Sequence, residues 1–166
     1  MFILLFSLSN LFLRINIIGD STNGYIQVPI EMAQLGISMT YNDARKEIKI
    51  DTDSIVKLIK KYGKNEPILT IENNNERIVM IGIDAGGVCR GNEKPKKIII
   101  IVRKDKEETK VTMPLWFMDA VTDFNGPFKN EDKDENFKEI IKKVKRKFEM
   151  VNLKERDGES IRIRFE

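Results

Sequence analysis

Histidine is absent from this 166-residue chain. Without an imidazole that titrates near neutrality, Ser-His-Asp and Cys-His triads, His-ligated zinc sites and the usual proton shuttle are excluded. There is one cysteine, Cys89, so no internal disulfide can form and no Cys-rich zinc or iron-sulfur site can be built. Proline is scarce, with five residues, and Trp116 is the single tryptophan. What remains is globular in composition: 41% hydrophobic and 33% charged, neither disordered nor a membrane bundle, and long enough for one domain or two small ones. No cofactor, metal site or catalytic residue is expected from such an inventory.

Charge gives little direction. Lys and Arg number 29 against 26 Asp and Glu, an excess of three that does not by itself indicate a polyanion partner. The excess is local: residues 1–83 are balanced, and the surplus lies beyond, including Lys142, Lys143, Lys145, Arg146 and Lys147. The opening stretch MFILLFSLSNLFL has the length of a signal-peptide core but neither the basic start nor the small-residue cleavage site. It is also too short to span a bilayer in ordinary fashion, which takes about 20 apolar residues. Residues 1–12 are therefore read as a packed extension or the product of a misassigned start, with a signal segment or membrane-surface anchoring as the alternatives. The compartment expected is the cytoplasm, or a membrane surface if the anchoring alternative holds.

Self-similarity is the strongest signal. LRINI, a turn-rich GDSTNG and YIQVPIEMAQLG are echoed by IIIIVRKDKEETKVTMPLWFMDAV, with Pro29 and Pro114 as register marks 85 residues apart. Further on, DSIVKLIKKY aligns with ENFKEIIKKV, and ILTIENNNERIVMIGI with MVNLKERDGESIRIRF, at an offset of 82. In each stretch, period-two alternation predicts strands joined by hairpins, Pro ends the second strand, and apolar residues at 55, 58, 59 and 62 predict one helical stripe. The expected fold is α+β: an internal duplication of a β-β-α-α-β-β unit, each a four-stranded antiparallel sheet with helices on one face. The expected boundaries are 13–83 for the first copy, 84–96 for a linker and 97–166 for the second copy.

Through VPIEMAQLG, IKIDTDSIVKLIKK and ILTIENNNERIVMIGI the first copy resembles the small C-terminal module of bacterial SHOCT-like-domain proteins. Pro29, Ile30, Ala33, Leu35, Gly36, Asp51, Asp53, Ile55 and Ile59 carry the likeness. The second copy keeps Pro114, Leu115 and the last helix and hairpin but has Trp116-Phe117-Met118 in place of the helix signature. The resemblance implies no active site.

Each chemistry-bearing group has a plainer reading. Gly19 to Gly24 reads as a hairpin turn rather than a phosphate loop, since it lacks the P-loop Lys and opens no helix. Gly86-Gly87 reads as linker. Cys89 lacks a base to activate it. Asp51 and Asp53 suit helix capping, and Asp119 and Asp123 suit solvated surface. Three functions follow as expectations. The first is a non-enzymatic interaction or regulatory module binding a protein partner or itself, with Trp116 and Phe117 in the contact surface. The second is a small-ligand or enzymatic cleft lined by carboxylates between the copies. The third is weak polyanion binding through Lys142, Lys143 and Arg146 on the second-copy helix, with nucleic acid an unfavoured partner.

Overall fold

The computed structural model describes residues 11–33, 39–41, 46–48, 52–119 and 144–166. In chain order the elements are β1 (Leu11–Gly19), β2 (Thr22–Pro29), a single turn α1 (Ile30–Ala33), β3 (Met39–Tyr41), β4 (Lys46–Ile48), α2 (Thr52–Tyr62), β5 (Pro67–Glu72) and β6 (Glu76–Asp84). There follow a 3-10 turn (Ala85–Gly87), β7 (Lys97–Lys104), β8 (Glu107–Pro114), a second 3-10 turn (Leu115–Asp119), β9 (Phe148–Glu155) and β10 (Ser160–Phe165).

The α+β expectation is corrected. The molecule is mostly one antiparallel sheet of eight strands, ordered β5-β6-β1-β2-β9-β10-β7-β8, with β3 and β4 forming a small separate hairpin. It is not two four-stranded sheets each covered by helices. The physical reason is at the middle: β2 does not stop as an edge but pairs with β9, from Thr22 opposite Glu155 to Ile26 opposite Val151. Two open edges thereby satisfy each other's backbone groups. The helical share is correspondingly small. Among the described residues, the chain after Pro29 and Pro114 makes one turn of four and of five residues, too short to cover a sheet face. The second-copy helix expected at ENFKEIIKKV and in the basic run to Lys147 lies outside the described residues as far as 143, and residues 144–147 are not helical: Lys147 bridges to Arg90 instead.

The order of strands is the same on the two sides of the centre. Each side begins with the later hairpin (β5-β6, β9-β10) and ends with the earlier one (β1-β2, β7-β8). Cross-strand partners form an apolar row running the whole width of the sheet. It starts at Leu69 on β5, passes through Met80, Ile15 and Ile26, crosses to Val151, and ends through Ile163 and Ile100 at Val111 on β8. Because side chains alternate, the neighbouring rows put polar groups on the opposite face, among them Asn16, Tyr25, Asn152, Arg162 and Lys110.

α2 covers the apolar face of the first half through Ile55 and Ile59, both buried. Of the expected stripe, Leu58 and Tyr62 stay exposed. Gly82 is what admits α2 so closely, since a Cβ there would run into the Ile59 side chain. The rings of Phe12, Phe148 and Phe165 tie the two halves together: Phe12 and Phe148 meet edge to face at 5.1 Å, and Phe148 stacks on Phe165 at 4.8 Å. Segment 84–96 buries Ala85, Val88 and Pro95 against this core.

Candidate interaction surface

β8 is an open sheet edge. It pairs with β7 from Lys97–Pro114 to Lys104–Glu107 and has no partner on its other side among the described residues. The turn before it is tight, with Asp105 and Lys106 both at positive φ, the backbone that a two-residue hairpin of matching twist requires. β8 is exposed over most of its length, including Val111, which is 50% exposed on the apolar face. Such an edge presents unpaired N–H and C=O groups and is a template for another strand.

At the end of β8 the backbone N–H of Leu115 donates to the Lys96 carbonyl at 2.9 Å, anchoring the 3-10 turn that follows. That turn presents Trp116 (71% exposed) and Phe117 (44% exposed), ring centroids 6.0 Å apart in an edge-on pair. The two residues expected in a contact surface are thus placed together, in solvent and beside the open edge. Sequence reasoning missed the edge itself; Val111 within alternating EETKVTM carried the only local trace of it.

A second polar cluster, at the join of β2 with β9 and β10, also escaped the sequence reading. Glu149 is buried. One carboxylate oxygen accepts from the Tyr25 hydroxyl and from Asn152 Nδ2, each at 2.8 Å. The other accepts from Arg162 Nη2 at 2.6 Å and Nε at 3.2 Å, and from Arg164 Nε at 2.8 Å. Gln27, also buried, donates to the Glu149 carbonyl and accepts from Arg14 Nε, both at 2.7 Å. Burial works to raise the Glu149 pKa, but the hydrogen bonds from Tyr25, Arg164, Arg162 and Asn152 outweigh it and hold the carboxyl below its ordinary value. Burial, with the Glu149 carboxylate beside it, raises Tyr25. The signal in sequence was Arg162 and Arg164 alternating with Ile161 and Ile163, facing a lone acid within FEMV.

A cavity of about 160 Å³ lies alongside, lined by Arg90, Lys147, Phe148, Glu149, Arg164, Phe165 and Glu166. Its charges are largely matched at home. Glu149 is saturated as above, Lys147 Nζ sits 2.6 Å from Glu93, and Arg164 lies 3.5 Å from Glu166. Both carboxylates of this cavity are therefore already engaged with cations of the same chain.

The other candidates fall into ordinary structural places. Gly19 to Gly24 is the β1–β2 hairpin, where Asn23 Nδ2 donates to the Gly19 carbonyl at 2.9 Å. Gly86-Gly87 lies in a 3-10 turn. Burial pushes the Cys89 thiol up, opposed by the charge of Arg146. Arg146 Nε donates to the Gly91 carbonyl at 3.0 Å, while Lys142 and Lys143 lie outside the described residues, so the basic trio is not assembled here. Asp53 lies in the first turn of α2 and Asp119 ends the second 3-10 turn; Asp51 and Asp123 are outside the described residues. Among the described residues, Glu155, Asp157 and Glu159 are the one group of three acidic side chains that could converge on an ion, and they form the exposed β9–β10 turn. No described helix is long and apolar enough to cross a membrane.

Comparison with models of protein families, with curated proteins and with solved structures finds no match to this chain. The SHOCT-like resemblance gains no support from it.

Proposed function

We propose that the protein is a non-enzymatic interaction module that associates with copies of itself along the open edge of β8. The observation that carries this is the union of an unpaired strand, a half-exposed Val111 and the exposed Trp116–Phe117 pair on one border of the sheet. Isolated exposed apolar residues are common on protein surfaces; here they adjoin backbone groups that need partners. A second copy is the favoured occupant because the chain already joins two such strands at its centre, where β2 meets β9.

Sedimentation velocity across a concentration series tests the reading. The wild type should show a mass above the 19.3 kDa monomer that rises with concentration. Val111→Lys combined with Trp116→Ser should return it to the monomer without loss of secondary structure, since both positions are exposed. A wild type that stays monomeric at every concentration refutes the proposal.

A further inference from the structure

We infer that the strand added to β8 is β5 of a second copy, running antiparallel in the register that sets Val111 opposite Leu69 of that copy. The inference rests on the reading of β8 as a self-association edge and adds to it the partner edge and the register.

Three observations lead there. First, among the described residues the sheet order leaves one open edge of each kind. The join at the centre unites the last strand of one side, β2, with the first strand of the other, β9. The last strand of the second side is β8 and the first strand of the first side is β5, and both are borders. At the offsets of 85 and 82, Val111 stands where Ile26 does and Leu69 where Val151 does, and Ile26 and Val151 are partners in the central join.

Second, the apolar row that crosses the sheet begins at Leu69 and ends at Val111. Joining those two ends continues the row unbroken from one copy to the next. The same register sets Thr109 against Ile71 on the apolar face and Lys110 against Thr70 on the polar one. A slip by one residue would turn every side chain of the added strand to the wrong face, so this register is the one the two faces specify.

Third, the ends correspond. The end of β8 that carries Trp116 and Phe117 arrives at the start of β5, just after α2 terminates in the exposed Tyr62. At the opposite end Glu108 meets Glu72, but each has a cation across its own hairpin: Arg103 Nη2 lies 2.7 Å from Glu108, and Arg77 is the cross-strand partner of Glu72. The new join also lacks one close approach found in the central one. Gly24, whose Cβ would strike the Asn152 carbonyl, corresponds to Thr109, so β8 takes up its partner at ordinary strand spacing and without the local close approach. Because the two edges are different, the pairing is head-to-tail: each added copy leaves one β5 and one β8 open, so copies add in a chain, or in a ring where the rotation between them closes.

Disulfide trapping distinguishes the possibilities. Lys110 and Thr70 are exposed, so Lys110→Cys and Thr70→Cys themselves leave the core untouched; each is made in a Cys89→Ser background, which serves as the control for folding. Directly opposed strand residues lie about 4.5–5.5 Å apart at Cα, within disulfide reach. Mild oxidation of an equal mixture should give the crosslinked heterodimer, and a chain carrying both substitutions should give a ladder of multimers. Replacing Thr70→Cys by Glu72→Cys should largely abolish the product. Crosslinking of Lys110→Cys chains with themselves would show β8 pairing with β8, overturning the inference while leaving self-association intact. Absence of any crosslink in a protein that sediments above monomer mass would overturn it likewise. A monomer at all concentrations overturns both this inference and the reading beneath it.

Discussion

Replacing Glu149 by Gln keeps the shape of the side chain and removes its charge from a site where two guanidinium groups converge. In the folded protein the carboxylate takes hydrogen bonds from Tyr25, Asn152, Arg162 and Arg164. Charge-assisted bonds of this kind contribute about 1.5–3 kcal/mol each, and removing one member of a buried pair costs about 3–5 kcal/mol. The full figure does not apply, because the Arg162 and Arg164 side chains are 34% and 21% exposed and recover part of their hydration. We expect a loss of about 2–4 kcal/mol, equivalent to roughly 4–16 °C in Tm for a chain of this size. Urea unfolding monitored by circular dichroism, under conditions that hold the protein monomeric, reads it directly. The pH dependence supplies a second check. The folded-state pKa of Glu149 is depressed, so on acidification the unfolded chain takes up the proton first. Its stabilising contribution is complete above about pH 4.3, the ordinary Glu value, and drains away as pH falls through the lower folded-state value. Glu149→Gln should lose that component of the acid sensitivity. A variant within about 0.5 kcal/mol of wild type at pH 7, inside the range of neutral surface changes, would refute the account of this cluster as a clamp across β2, β9 and β10.

Gly24→Ala should cost about 2–5 kcal/mol in denaturant titration, since φ there is +143° and the added methyl meets the Asn152 backbone; Gly91→Ala, at φ +72° with open space around it, should cost only about 1–2 kcal/mol, and equal losses would undo the explanation. Cys89, its pKa raised by burial, should react with a thiol reagent at pH 7 more slowly than an unstructured cysteine and accelerate only at a higher pH than that cysteine does; labelling at the unstructured rate at neutral pH would contradict the placement of the thiol.

Hairpins were legible because their determinants are local. Alternation in LRINI and IRIRF, the turns at Gly19–Asn23 and Asp157-Gly158, and the donor-less Pro29 and Pro114 all act within a few residues of the structure they specify. The class was misread because it depends on a pairing between residues 22–26 and 151–155, for which no local pattern exists. Helix was overestimated for a related reason. Pro at a first helical position permits a helix but does not lengthen it, and the described residues after Pro29 and Pro114 make one turn each. At the candidate surface, Trp116 and Phe117 were recognisable as bulky residues out of keeping with Glu31-Met32 in the corresponding place. The exposure of β8 was not, because whether a strand is an edge depends on the order of the whole sheet. Glu149 was hidden by its setting among apolar neighbours, where a lone acid gains meaning only once two arginines from another strand are seen to reach it.

The pairing of β2 with β9 also sets a timetable for synthesis. Once residue 84 has left the ribosome, β5, β6, β1 and β2 can assemble, but the strand that covers β2 is complete only about 70 residues later. At roughly 5–20 residues per second that interval lasts about 4–14 s, during which the nascent sheet offers a bare border to any neighbouring chain on the same message.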